Sequence, residues 1–161
     1  MAATYTPIAS ATLGATAASV TFTNIPQTYT DLVLIAKPAD GANLGAYAVT
    51  FNSDTGTNYS TTRLYGSGTT ASSDRQTSQA NITSTWGGGT YNMYTTHIMN
   101  YANTTTFKTA LTNISEDRYV VLMAGLWRNT NAVTTIKIDT TGNNYAVNST
   151  FNLYGILGAN A

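Results

Sequence analysis

Strand-like segments recur every 10–15 residues along this chain, and turn chemistry separates each from the next. Ser19–Ile25 sets Val20 and Phe22 against Thr21 and Thr23, the two-residue period of a strand with one buried face. Asp31–Lys37 carries the unbroken run Leu32-Val33-Leu34-Ile35-Ala36, which predicts a central strand covered on both faces with Leu34 in the core. Arg118–Trp127 looks central for the same reason, with Leu122 as a core position and Trp127 at its buried end. Further strands are expected over Thr4–Ser10, where Pro7 marks an edge, and over Gly45–Asn52, Tyr59–Tyr65, Thr90–Tyr101, Phe107–Asn113, Val133–Asp139 and Thr150–Leu157. Phe107–Asn113 alternates Phe107, Thr109 and Leu111 with Lys108 and Thr112. The polar stretch Gly66–Ala80 reads as a long surface loop, and Trp86-Gly87-Gly88-Gly89 as a turn or bend.

No segment predicts a helix, and composition agrees. Thirty-two threonines, 16 asparagines and 11 serines take the place of the missing charges. Thr and the 11 Tyr favour strands, whereas Asn, Ser and the 13 Gly favour turns. About ten short strands in 161 residues predict one all-β domain spanning 1–161, a two-sheet antiparallel β-sandwich of jelly-roll topology.

Charged residues make up 9% of the chain and balance to a net charge of zero. A phosphate-tracking nucleic-acid binder needs a basic surplus, and so does a polybasic membrane-surface protein; both are excluded. The longest apolar run, Val120 to Trp127, is too short to cross a bilayer. Met-Ala-Ala-Thr-Tyr-Thr-Pro lacks the positive start of an export signal, so a soluble, non-exported protein is expected. Without cysteine there is no disulfide, thiolate chemistry or Cys-type zinc. Low net charge protects poorly against self-association and suits a protein that sits against identical neighbours.

Five phrases, in order, are spread over most of the chain: Phe22-Thr23-Asn24-Ile25-Pro26-Gln27-Thr28-Tyr29-Thr30-Asp31-Leu32; Phe51-Asn52-Ser53-Asp54-Thr55-Gly56-Thr57-Asn58-Tyr59-Ser60 with Leu64-Tyr65-Gly66; Asn100 to Thr109; Gly125 to Thr130; and Ser149 to Ile156. Together they resemble a family of virion structural proteins of marine and freshwater tailed phages. The resemblance implies a component of a phage particle, displayed on its surface and assembled in the host cytoplasm. A short module of this kind points to a capsid decoration (cement) protein whose partners are the major capsid protein or other virion proteins. A homo-oligomer, with a trimer favoured, follows by analogy of fold. The alternative is a carbohydrate-binding tip of a tail or head fibre, with Ser67–Ala80 and Ser84–Tyr91 reaching host surface glycan. No coiled-coil heptads or shaft repeat accompany it, which favours decoration.

The residues offer little for catalysis. His97, the lone histidine, has no sequence neighbour that would make a triad or a metal site, and is read as structural. The acids Asp31, Asp40, Asp54, Asp74, Glu116, Asp117 and Asp139 form no glycosidase-like pair; Glu116 and Asp117 are expected in the turn before Arg118. Asp54-Thr55-Gly56-Thr57-Asn58 has the oxygen spacing of a calcium loop, but also the residues that any hairpin loop needs. The five Asn-X-Ser/Thr sequons, at Asn58, Asn81, Asn103, Asn113 and Asn148, are near the number that chance provides. No enzyme activity, cofactor or metal is expected. Trp86, Tyr91 and Tyr94 are the candidates for a sugar-stacking platform, against the plainer role of packing, and Trp127 with Arg128 for an interface.

Overall fold

The computed structural model describes residues 4–39, 47–83, 93–116 and 118–158. Eleven strands run in chain order: β1 (Tyr5–Thr12), β2 (Ser19–Phe22), β3 (Asp31–Lys37), β4 (Tyr47–Phe51), β5 (Tyr59–Gly66), β6 (Ala71–Gln79), β7 (Met93–Met99), β8 (Lys108–Ser115), β9 (Val120–Trp127), β10 (Ile136–Thr140) and β11 (Thr150–Ile156). They form two antiparallel sheets. The larger has the order β1-β11-β3-β7-β8-β9-β5-β6, and the smaller β2-β10-β4. There is no helix among the described residues. The all-β sandwich follows the sequence expectation; the division into eight and three strands does not establish a jelly roll.

The small sheet lies over the inner face of the large one. Its rows Phe22–Ile136–Phe51 and Val20–Ile138–Val49 face inward. They meet Leu32, Leu34, Ile98, Ile114, Val121 and Leu153 in one core. Aromatic rings join the layers. Tyr47 stacks on Tyr94 with centroids 4.2 Å apart, and Phe51 meets Trp127 edge-on at 5.6 Å. Buried hydroxyls satisfy one another across this core: Thr96 Oγ1 lies 3.2 Å from the Tyr47 hydroxyl and 3.0 Å from Thr112 Oγ1. A polar group taken out of water needs such a partner.

Asparagine content is explained by backbone shape. Asn24, Asn52, Asn100 and Asn148 adopt left-handed φ of 50–70°, which Asn tolerates better than most residues. Asn52 also clamps the approach to β10. Its Oδ1 accepts the N–H groups of Thr134 and Thr135, and its Nδ2 donates to the Ala132 carbonyl.

Three expectations need correction. The stretch 66–80 is not one long loop: Ala71–Gln79 is an edge strand registered along β5. It has no apolar rhythm to reveal it, because its face toward the interior is held by Asp74 on the buried Arg63 (Nε to Oδ1 2.7 Å) rather than by a hydrophobe. The phase of β8 is also inverted. Lys108, Ala110, Thr112 and Ile114 point inward, while Phe107 and Leu111 are each 51% exposed. Lys108 is buried because its ammonium donates to the carbonyls of Thr106 (2.8 Å) and Thr130 (3.0 Å), closing two loops over the end of the core. Finally, β9 is covered on one face only: Val121 and Met123 are inside, and Leu122 is 50% exposed. By contrast β3 is covered almost throughout, as its run implies, and Pro7 does sit on the edge strand β1, beside a register shift.

Candidate functional site

The uncovered face of the large sheet carries the most distinctive surface chemistry. Strand pairing fixes one row across six strands: Arg75 on β6, Thr62 on β5, Ala124 on β9, Leu111 on β8, His97 on β7 and, beyond the open part of the face, the buried Val33 on β3. The next row is Ser73, Leu64, Leu122, Asn113, Thr95 and Ile35. Side chains two apart on a strand share a face, so these rows lie side by side. Ala124 is small and its neighbours Leu111, Leu122 and Leu64 are large. The result is an aliphatic trough of about 510 Å³ that continues past Thr62, Leu111 and Ala124 into a second depression of about 410 Å³. Leu64, Leu111 and Leu122 are each about half exposed. Scattered exposed leucines are ordinary; a contiguous set on one flat face marks a contact surface.

Polar groups rim the trough. His97 Nε2 lies 2.9 Å from Asp31 Oδ2, and Asp31 Oδ1 accepts the Asn100 N–H at 2.7 Å. Thus the lone histidine has a partner, brought from β3 by pairing that sequence proximity could not reveal. The pair binds β3 to the turn after β7; no cluster of three or more His, Asp or Glu side chains able to hold a metal occurs among the described residues.

The remaining candidates are built into the fold. Tyr94 was a candidate for an exposed platform; it lies in the core against Tyr47. Trp86 and Tyr91 fall outside the described residues. Trp127 ends β9 fully buried, as expected, stacked on Tyr59 with centroids 6.1 Å apart. Arg128 turns back on its own chain, donating to the carbonyls of Thr57 (2.8 Å) and Tyr59 (3.2 Å).

The possible cation loop is closed by its own donors. Asp54 Oδ1 accepts the Gly56 N–H (2.9 Å), and Oδ2 accepts the Trp127 indole N–H (2.7 Å) and Asn58 Nδ2 (3.0 Å). Burial pushes this carboxyl up, but the hydrogen bonds from Trp127, Asn58 and Gly56 outweigh it and hold its pKa below the ordinary value. Asp74 and Asp139 are likewise engaged, with Arg63 and Lys137. Glu116 sits in the turn after β8, and Asp117 is outside the described residues.

The aliphatic trough escaped the sequence reading because a run such as Val120-Val121-Leu122-Met123 looks equally buried on both sides. The signal that could have found it was the neighbour: Leu64, Leu111 and Leu122 each fall between polar or inward-facing residues on separate strands. Comparison with protein-family models and with curated proteins found no match to this chain.

Proposed function

We propose that the chain is a structural component of a phage particle, a capsid decoration protein whose work is adhesion. The observation that carries this reading is the aliphatic face of the large sheet, centred on Leu64, Leu111, Leu122 and Ala124 and left bare by the small sheet. A face of this kind contributes to binding by removing apolar area from water, at roughly 25 cal/mol per Å². The resemblance of the ordered phrases to tailed-phage virion proteins suggests the setting. The low charge supports it too: contacts made by aliphatic groups, hydroxyls and amides depend less on salt than ion pairs do. Such a subunit stabilises the assembled particle by mass action, because it binds the assembled state and not the dissociated one.

Gold-labelled antibody on intact particles of a phage encoding this chain tests the reading. Label spread over the heads, with heads losing heat resistance when the protein is absent, is the expected result. Label confined to the tail end would replace decoration by the fibre-tip reading and its host glycan. Unlabelled particles would remove the virion reading altogether.

A further inference from the structure

We infer that the bare face of the large sheet is closed by the same face of a second copy, in a two-fold dimer whose axis runs parallel to the strands between β8 and β9. The inference rests on reading that face as adhesive and makes its partner a second copy, so that the decoration unit is the dimer and the particle is met by its remaining surface. The row Arg75–Thr62–Ala124–Leu111–His97–Val33 has its midpoint between Ala124 and Leu111. Turning a second copy over about an axis at that midpoint lays β8 on β9 and β9 on β8. The large Leu111 of each copy then stands over the small Ala124 of the other, filling the deepest part of the trough twice. Leu122 falls over Asn113, and Leu64 over Thr95, so apolar knobs meet lower ground at each position. A self-complementary surface is what a two-fold contact requires.

Charge placement fits the same operation. The axis carries β6 onto β3, which brings the exposed Arg75 of each copy to the margin of the patch, over the buried Val33 of the other and two residues from Asp31, whose carboxylate already holds His97 and the Asn100 N–H. At the far end of β3, Lys37 meets Ala71 and no like charge. Arg75 and Lys37 thus stand at the margins of an uncharged centre and neither meets a like charge, which would have opposed this register.

Area is sufficient. Five open strands, β6, β5, β9, β8 and β7, about 4.8 Å apart, with about 3.4 Å per residue over seven or eight residues, give a face of roughly 600 Å² in projection. Corrugation raises the accessible area above that, near the ~800 Å² per partner of a standard stable interface. Two sheets packed this way sit about 10 Å apart, and the twist of each sheet sets its strands about 15° to either side of the axis, like the halves of a sandwich. The polar outer face of β2 and β10, with Thr21, Lys137 and Asp139, stays free for other partners.

Sedimentation velocity of the full chain over a wide dilution series tests this. A dimer is expected, with Leu111→Asp weakening it about 100-fold or more by leaving a charge in the buried centre. Leu111 is exposed in the single chain, so circular dichroism of L111D, and its unfolding at dilutions where both proteins are monomeric, should match the parent. The chain has no cysteine, which permits a second check independent of folding. Leu111→Cys protein mixed with Ala124→Cys protein should form interchain disulfide faster than either variant alone. A monomer at all concentrations, a trimer indifferent to L111D, or no preference for the mixed disulfide would overturn the inference. Failure here leaves the particle-labelling result unaffected, and unlabelled particles leave the dimer measurement unaffected, so the two readings fall separately.

Discussion

Asp54 accepts the indole N–H of Trp127 at 2.7 Å, and this single bond ties the loop after β4 to the buried end of β9. It also explains why the most cation-like loop in the sequence binds its own chain. Both carboxylate oxygens are occupied by donors that a folded backbone places there, so the charge is used to satisfy the indole and to shape the turn.

Acid should therefore find this protein through Asp54. Its folded pKa lies below its ordinary 3.8, so the stabilisation is complete above that value and is lost as pH falls through the folded value. Asp74, held low by the Arg63 hydrogen bond against the opposing effect of burial, adds to the same limb. Thermal unfolding followed from pH 6 down to about 2 should show Asp54→Asn with a flatter acid limb than the parent. At neutral pH the variant should lose about 1–3 kcal/mol, the cost of mispairing buried donors. An acid limb identical to that of the parent would contradict this account.

Leu34 and Leu122 look alike in sequence and should behave oppositely. Leu34 is fully buried, and Leu34→Ala should cost about 2–5 kcal/mol in urea unfolding. Leu122 is half exposed, and Leu122→Ala should change single-chain stability by about 0.5 kcal/mol or less when measured at high dilution. Equal losses would mean that both faces of β9 are buried in the isolated chain.

Two glycines hold space that a methyl group would need. A Cβ on Gly125 would stand 2.4 Å from the Ile82 carbonyl oxygen, which is backbone and cannot swing aside. Gly155→Ala meets the Tyr29 ring at 2.3 Å, and the ring can rotate away at some loss of packing. Gly125→Ala should accordingly lose about 1–3 kcal/mol, more than Gly155→Ala. Gly14→Ala meets nothing within 4 Å and serves as the neutral control. Differential scanning calorimetry of the three variants would reverse this argument if Gly14→Ala proved the most damaging.

Alkali should unfold the protein through its phenols. Burial raises the pKa of Tyr47, Tyr59, Tyr101 and Tyr145 above their ordinary 10 in the folded state. Unfolded tyrosines ionise near 10 while the folded ones resist, so stability is full below that pH and falls as pH rises beyond it. Lys108 acts with the opposite sign. Burial lowers its pKa below 10.5, which favours the folded state as pH climbs toward that value. Four phenols against one amine make the net slope negative above about pH 10. Absorbance at the tyrosinate band should show a cooperative step that coincides with unfolding, and the absence of any step at unfolding would show these four phenols to be accessible in the folded state.

How much of this was legible depended on whether a residue's neighbours in space were also its neighbours in sequence. Val20 and Phe22 announced β2 because the strand has one wet face and a clean alternation. Leu32 to Ala36 announced β3 because both its faces are dry. The same logic failed on β8 and β9, where aliphatic residues occupy the wet face and Lys108 the dry one. Local pattern cannot express a lysine whose charge is satisfied by carbonyls of Thr106 and Thr130 contributed by two different loops. The strand β6 was invisible for a related reason: its inward contact is the Asp74–Arg63 pair, which looks like surface polarity until β5 is laid beside it. His97 found its partner, Asp31, 66 positions away by the same route.

Placing β11 between β1 and β3 has a consequence for how the polypeptide is born. The ribosome delivers β1 and β3 long before the strand that must lie between them, so the eight-stranded sheet has a gap at that position until residue 156 emerges. During that interval β1 has no ladder partner, and the apolar edge of β3 is open to any passing strand. Long-range pairing of this kind is slow and exposed to aggregation. Nascent-chain stalling short of Thr150 should leave β1 protease-sensitive, with protection appearing abruptly once β11 is out, so that this end of the sheet assembles only after synthesis of the whole described domain.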